Sequence, residues 1–331
     1  MRRVLIVKTS SMGDIIHTLP ALTDAKKACP DVEFDWVVEE GFAEVPKWHS
    51  GVSEVIPVAI RRWRKNLFQT LASTEWKQFK NTVRKHHYDL VIDAQGLMKS
   101  AWVCGRVKAP VAGFDKHSVR ESWARFSYQY KYNVSKDMHA VERIRDLFAQ
   151  ALSYEKPKTK GDYGLKREIF CSGTPVATNV VFLHGTTRDD KHYPEIYWKA
   201  MAEQLTEQGI KVRLPWGSEV ERLRAERIAK GIENVEVLPK LSLFGVAGVI
   251  SHADVVVAVD TGLGHLSAAL NIPTVSLYGP TDPGLIGAYG ENQVHLCASD
   301  MPAVNIEVDP LVFAPLTVAH VMKSLQSLLE K

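Results

Sequence analysis

The chain of 331 residues has only four cysteines, Cys29, Cys104, Cys171 and Cys297, far apart and with no C-x-x-C pair. That scarcity excludes a disulfide framework and a cysteine-built zinc site, and points to reduced thiols in a cytosolic protein. Long apolar runs are missing too. None approaches the roughly 18 residues of a membrane span, and the first, residues 4–7, ends at Lys8, so Arg2 and Arg3 do not open a secretory leader. A soluble or peripheral protein is expected. The sequence also lacks any Asp-x-Asp triplet. A divalent ion held by carboxylates against a diphosphate therefore has no evident place, and neither a bound metal nor another cofactor is expected.

What the chain does have is enough apolar residue, 45%, to bury a substantial core, and a length that suggests two domains. Its small net charge of +3 hides an asymmetry. Residues 1–160 hold 27 Lys+Arg against 18 Asp+Glu, whereas residues 161–331 hold 14 against 20. Most of the basic excess lies in residues 55–136, with 16 basic and 5 acidic side chains. The first half is built to meet polyanions. Nucleic acid is one candidate for such a stripe, but the acidic second half argues against it, and no nucleic-acid partner is expected.

Short β-branched runs alternate with helical patterns, which predicts parallel sheets of βα units. Strands are expected at 4–7, 34–38, 55–58, 90–93 and 111–114, then at 180–184, 211–214, 235–238, 255–259 and 274–278, with a weak one at 293–296. The predicted fold class is α/β, with two Rossmann-like doubly wound domains facing a central cleft. Domains are expected at 1–155 and 176–315, joined by a Lys-, Gly- and Pro-containing linker at 156–175. The amphipathic segment 316–331 is expected to form a terminal helix that packs back on the first domain.

Ligands of open α/β sheets sit at the carboxyl ends of strands, so the turns there carry the chemistry. Asp260-Thr261-Gly262-Leu263-Gly264-His265 reads as strand, glycine turn and helix start, a place for phosphate against exposed N–H groups. Gly262-x-Gly264-x-x-Ser267 narrowly misses the dinucleotide fingerprint, but too little chain follows for the βαβαβ unit that fingerprint opens, which argues against a nicotinamide site. His184-Gly185-Thr186-Thr187-Arg188-Asp189-Asp190-Lys191 offers hydroxyls and a lysine for a diphosphate; a plain Thr-rich turn is the competing reading. The turn Tyr278-Gly-Pro-Thr-Asp-Pro-Gly284 is as well explained by a loop as by a ligand contact. Asp14, in the turn after the first strand, is either a helix-start acid or a general base. Arg61-Arg62-Trp63-Arg64-Lys65 is the densest basic run, followed by Lys99, Arg106, Lys116, Arg120 and Arg125; an anionic second substrate is preferred over a merely solvated face. Trp63, Trp102 and Trp123 read either as core or as contacts to sugar or acyl chain.

Lys8-Thr-Ser-Ser-Met-Gly-Asp14, Trp36-Val-Val-Glu-Glu40, Ile56-Pro-Val-Ala-Ile-Arg-Arg-Trp-Arg64, Asp93-Ala-Gln-Gly-Leu97, Thr186-Thr-Arg-Asp-Asp-Lys-His192, Asp260-Thr-Gly-Leu-Gly-His265 and Tyr278-Gly-Pro-Thr-Asp-Pro-Gly-Leu-Ile286 together resemble the lipopolysaccharide heptosyltransferases of glycosyltransferase family 9, in particular type I. The resemblance runs from the first strand to about residue 290. It implies a GT-B fold and an inverting transfer of L-glycero-D-manno-heptose from ADP-heptose to the inner 3-deoxy-D-manno-octulosonic acid (Kdo) of Kdo2-lipid A. By the same resemblance Asp14 is the catalytic base, while Thr186, Thr187 and Lys191 hold the diphosphate and sugar, Lys191 also serving catalysis. Asp260, Thr261, Gly262 and His265 close around phosphate and heptose, Glu221 takes the ribose, and Leu241 lies beside the adenine. Arg61, Arg62, Arg64, Lys65, Lys99 and Arg120 are the acceptor candidates. The implied location is the cytoplasmic face of the bacterial inner membrane, held peripherally by an anionic leaflet. Heptosyltransferase type II and a nucleotide-sugar 2-epimerase of the same architecture are the alternatives.

Overall fold

Two parallel six-stranded sheets organise the computed structural model, which describes residues 2–171, 178–304 and 306–330. The chain divides into one unit at Met1–Leu165 and a second at Lys166–Lys331.

The first sheet is built from β1 (Arg2–Val7), β2 (Val32–Glu39), β3 (Val52–Val58), β4 (Leu90–Asp93), β5 (Val111–Phe114) and β6 (Tyr130–Tyr132), in the spatial order β3-β2-β1-β4-β5-β6. The second contains β7 (Asn179–Leu183), β8 (Lys211–Leu214), β9 (Val235–Val237), β10 (Val255–Val259), β11 (Thr274–Tyr278) and β12 (Gln293–Cys297), ordered β12-β11-β10-β7-β8-β9. Counted within each unit, both follow the doubly wound order 3-2-1-4-5-6. Its reversal falls between β1 and β4 in the first unit and between β7 and β10 in the second. The central strands read as unbroken apolar runs, Val4 to Val7 and Val255 to Val259, because helices cover both faces of a parallel sheet. The strand without a sequence signal is β6: Tyr-Lys-Tyr, two exposed residues and one half-buried, paired only to β5 at the sheet edge.

Two expectations about the joins are corrected. The described part of the expected linker before Leu165 packs on the first unit rather than spanning a gap. Arg145, buried, pairs with Asp24 at 2.6 Å and with Glu142, and donates to the carbonyl of Pro157 at 3.3 Å. Gly164 turns with φ +64°, where a Cβ would strike His49. Residues 172–177, which take in the end of that linker and the expected start of the second domain, lie outside the described residues. The terminal helix Val318–Leu329, expected on the first domain, places Val321, Met322, Leu325 and Leu328 in the core of the second unit, against β10, β11 and the helix Glu195–Glu207. Truncating Leu325 to Ala removes a side chain from that core at a cost of about 2–5 kcal/mol.

Candidate active site

In the first unit the turns after β1 and β4 are tied together at the strand-order reversal. Asp93, fully buried at the end of β4, accepts from the N–H groups of Gln95 and Gly96 at 2.9 and 3.1 Å, from Ser100 Oγ at 2.9 Å and from Tyr128 OH at 2.8 Å. Burial raises its pKa, and these donors hold the charge against that cost. Gly96 takes φ +69°, and the turn it makes projects Gln95 back toward β1. There the Gln95 amide oxygen accepts from Thr9 N–H and Oγ1–H at 2.9 and 2.7 Å, while its Nε2 donates to Ser10 O at 2.9 Å.

The loop fixed in this way carries Asp14 as the third residue of the short helix Met12–Ile16. Asp14 Oδ2 accepts from Ser11 N–H and Ser11 Oγ, both at 2.8 Å, and Oδ1 lies 3.5 Å from Lys8 Nζ. Lys8 Nζ also donates to Ala94 O at 3.1 Å, so the ammonium is pinned between the two strand ends. Burial raises the Asp14 pKa, but Lys8, the Ser11 donors and the charge of His17 outweigh it and bring the group down to about 2. Its side chain keeps 36% exposure. The two readings of Asp14 are therefore not exclusive: it supports the helix start and still presents an ionised carboxylate.

Beside it stands the basic run. In the helix Ile60–Trp63, Ile60 and Trp63 point inward and Arg61, Arg62, Arg64 and Lys65 point outward. Trp63 meets Trp76 edge-on at 5.6 Å, and Trp76 stacks on Trp102 at 4.8 Å, so for Trp63 the core reading holds. Lys99 Nζ donates to Ser10 Oγ at 2.6 Å, and its pKa is lowered by burial and by the charges of Arg61 and Arg64 against the pull of Glu39 and Asp14. Lys99, Arg61, Arg64 and Asp14 thus share one electrostatic neighbourhood. Arg62 is more engaged, forking onto Glu75 at 2.7 and 2.9 Å and onto Glu40 at 3.1 Å. Lys65 is exposed, and Arg120, also exposed, has its backbone nitrogen against Gly96.

In the second unit Asp260 is the hub. It follows β10, and its carboxylate receives Lys191 in a short ion pair and Thr281 Oγ1 at 2.7 Å, with His265 Nε2 4.0 Å away. Its carbonyl accepts from Thr186 Oγ1 at 3.2 Å. The ends of β7, β10 and β11 are joined by these contacts, with Thr187 exposed on the first of the three turns. The helix Gly262–Ala269 begins with Thr261 as N-cap, and Gly264 lets it approach β10, since a Cβ there would lie 3.2 Å from that of Ala258. Glu221 also belongs here. It accepts from Gly217 and Ser218 N–H at 2.7 and 3.2 Å, and a Cβ on Gly185 would meet its carboxyl at 2.8 Å. Leu241 lies beyond β9, with its side chain beside Gly245, and the described contacts do not join it to the Asp260 cluster.

Sequence reasoning leaves Thr281 in a turn that reads equally as loop or as ligand contact, and misses the contacts of Lys8 and Gln95. Each lies within three residues of the carboxyl end of a strand, which was the available signal. Among the described residues the one triad with metal-ligating reach is Asp35, Glu54 and His86. Arg3 and Tyr88 OH already occupy Asp35, at 2.7 Å each from Oδ2.

The profile of glycosyltransferase family 9 (heptosyltransferase) matches residues 76–308. The lipopolysaccharide heptosyltransferase 1 of Pseudomonas aeruginosa is 61% identical over 301 residues, covering 91% of this chain and 84% of its own. Among solved structures, E. coli heptosyltransferase WaaC with ADP superposes with a TM-score of 0.91 at 49% identity, covering 98% of this chain and 99% of its own. The same enzyme with ADP-2-deoxy-2-fluoro heptose gives 0.88 at 48% identity over the same shares. With its two doubly wound units of the GT-B class, the chain belongs to glycosyltransferase family 9, the heptosyltransferases.

Proposed function

We propose that this glycosyltransferase, a heptosyltransferase of the lipopolysaccharide type 1 group, moves heptose from ADP-heptose to the inner Kdo of Kdo2-lipid A with inversion, without a bound metal. The type II and epimerase alternatives rank below this reading, because a relative at 61% identity carries the type 1 name.

The observation that carries the mechanism is Asp14, ionised, accessible and steadied by Lys8 and Ser11. A single displacement at the anomeric carbon needs one base to take the acceptor hydroxyl proton as the new C–O bond forms. The bond from that carbon to the diphosphate oxygen breaks in the same step. A carboxylate with a pKa near 2 is a weak base, so it receives the proton late, when the hydroxyl oxygen has become strongly acidic by bonding to carbon. Arg61, Arg62, Arg64, Lys65, Lys99 and Arg120 offer cationic partners for acceptor carboxylates and phosphates. In the second unit Lys191, Thr186, Thr187 and the first N–H groups of the Gly262–Ala269 helix are the donor subsite. The diphosphate takes over the ammonium now paired with Asp260, and leaves with its growing charge offset by it. Glu221 and Leu241 are assigned to the ribose and adenine. The enzyme acts at the cytoplasmic face of the inner membrane, drawn to anionic lipid by its basic first half.

The test is incubation with ADP-heptose and deacylated Kdo2-lipid A, read by mass. A gain of one heptose on the acceptor is expected. ADP-heptose consumed without acceptor, or transfer only to an acceptor already carrying heptose, would overturn the assignment.

A further inference from the structure

Single exposed apolar side chains are ordinary, but contiguous ones on a rigid base are not. In the first unit Trp123 is 72% and Phe126 67% exposed, and their rings touch with centroids 5.7 Å apart. Trp123 caps and Phe126 lies within the 3-10 turn Ala124–Ser127, against which the helix Met98–Cys104 packs, and Met98, its first residue, is 50% exposed. The shelf is firmly held. Met98 N–H donates to Glu121 Oε2 at 2.6 Å, Glu121 N–H to Gly96 O at 3.0 Å, and the buried Tyr128 OH to Asp93 at 2.8 Å. The exposure is thus built into the fold rather than belonging to a loose loop.

Its surroundings are cationic. The Arg125 guanidinium lies over the Phe126 ring at 4.8 Å, and Arg120 and Lys116 are exposed neighbours in sequence, within the most basic stretch of the chain. The one acid of the segment, Glu121, is engaged with Met98. The shelf also shares an edge with the proposed base: Gly96 follows Gln95, which holds the Thr9–Ser10 loop, and Lys99, next to Met98, donates to Ser10 Oγ at 2.6 Å.

We propose that Trp123 and Phe126, with Met98, insert at the headgroup level of an anionic bilayer and so present the Asp14 edge to a lipid-borne acceptor. Aromatic rings ringed by Lys and Arg are the composition of interfacial anchors. A second copy of the same surface would meet it with like charge. The inference rests on the reading that the acceptor is a lipid.

Sedimentation of the full chain with phosphatidylglycerol-containing vesicles and with phosphatidylcholine vesicles tests it. Wild type is expected on the anionic vesicles, and Trp123→Ser/Phe126→Ser should partition at least tenfold more weakly. The same variant should turn over a deacylated, water-soluble acceptor at the wild-type rate and unfold at the wild-type temperature; Trp123→Ser alone serves if the double variant does not fold. Equal partitioning of variant and wild type would overturn the shelf while leaving membrane attachment intact. So would loss of turnover on the soluble acceptor, which would make the aromatics part of the acceptor subsite, or a concentration-dependent dimer abolished by the variant. Absence of wild-type binding to anionic vesicles would overturn shelf and membrane reading together, whereas failure of wild type to transfer heptose to the soluble acceptor would remove the activity reading alone.

Discussion

The two units share one strand order and differ in how each treats an acid on a turn after a central strand, Asp14 after β1 and Asp260 after β10. In the first, Asp14 is partly open and its cation, Lys8, sits 3.5 Å away, pinned to a backbone carbonyl. In the second, Asp260 is closed off, with Lys191 directly upon it and Thr281 donating at 2.7 Å. An open carboxylate with a fixed, slightly distant cation stays charged and available to a proton. A covered carboxylate instead stores an ammonium until another anion claims it. On the proposed function, the same scaffold serves as a base in one place and a diphosphate grip in the other because of which side chain reaches the acid first.

That contrast breaks most sharply at the base. Asp14→Asn keeps an acceptor for Ser11 N–H and should leave the fold intact, yet it should slow transfer to a soluble acceptor by about 10²–10⁴-fold in kcat. Wild-type turnover would make Asp14 a helix-start residue only.

The grip is expected to show as affinity. Lys191→Ala should weaken ADP-heptose binding by about 10- to 100-fold and destabilise the second unit, because Asp260 is left buried without its cation. Adding Asp260→Asn should recover stability but not affinity, as separate thermal and calorimetric titrations would reveal. Recovery of both would mean the lysine serves the fold alone.

Each unit also contains a buried histidine that resists protonation. Burial lowers His49 and His184 to about 4, in spite of Asp162 at the first and with help from the charges of Arg224 and His192 at the second. His49 Nδ1 accepts from Gly51 N–H at 2.9 Å, which requires a neutral ring. The unfolded chain, with histidines near 6.5, binds more protons between about pH 6.5 and 4, so stability falls as pH drops through that window, by up to roughly 3 kcal/mol for each group. Asp14 acts in the same sense but in a lower window: with its pKa lowered to about 2, its contribution is present above the ordinary carboxylate pKa and is lost only as pH falls toward 2. Denaturant titrations at pH 7, 5.5 and 4.5 should show the loss, reduced in His49→Gln. A flat profile would refute it. Smallest is Gly185→Ala, whose Cβ would displace the Glu221 carboxyl by intruding to 2.8 Å. A several-fold loss of ADP-heptose affinity is expected, with kcat on saturating donor unchanged; unaltered affinity would remove Glu221 from the donor subsite.

Much of this was legible in the chain. Runs such as Val255 to Val259 announce buried parallel strands, and a polar or glycine turn after each marks a strand's carboxyl end, which is why the positions of Asp14, Thr186, Lys191 and Asp260 on such turns are legible in the sequence. What stayed hidden depends on contacts between distant residues. Gln95 bridging to Thr9 crosses 86 positions and Lys191 to Asp260 crosses 69, and no local pattern encodes either. The edge strand β6 is too short and polar to register a period. The terminal helix has a clear apolar face, but periodicity says that a face is buried and not against which unit. Trp123 shows the same gap from the other side: composition cannot tell a core tryptophan such as Trp63 from one left on the surface.

The division of labour between the units is tested most directly by calorimetric titration of ADP-heptose into the Asp14→Asn protein. A donor Kd within about twofold of wild type is expected, beside a large loss of transfer. A donor affinity as weak as that of Lys191→Ala would contradict it.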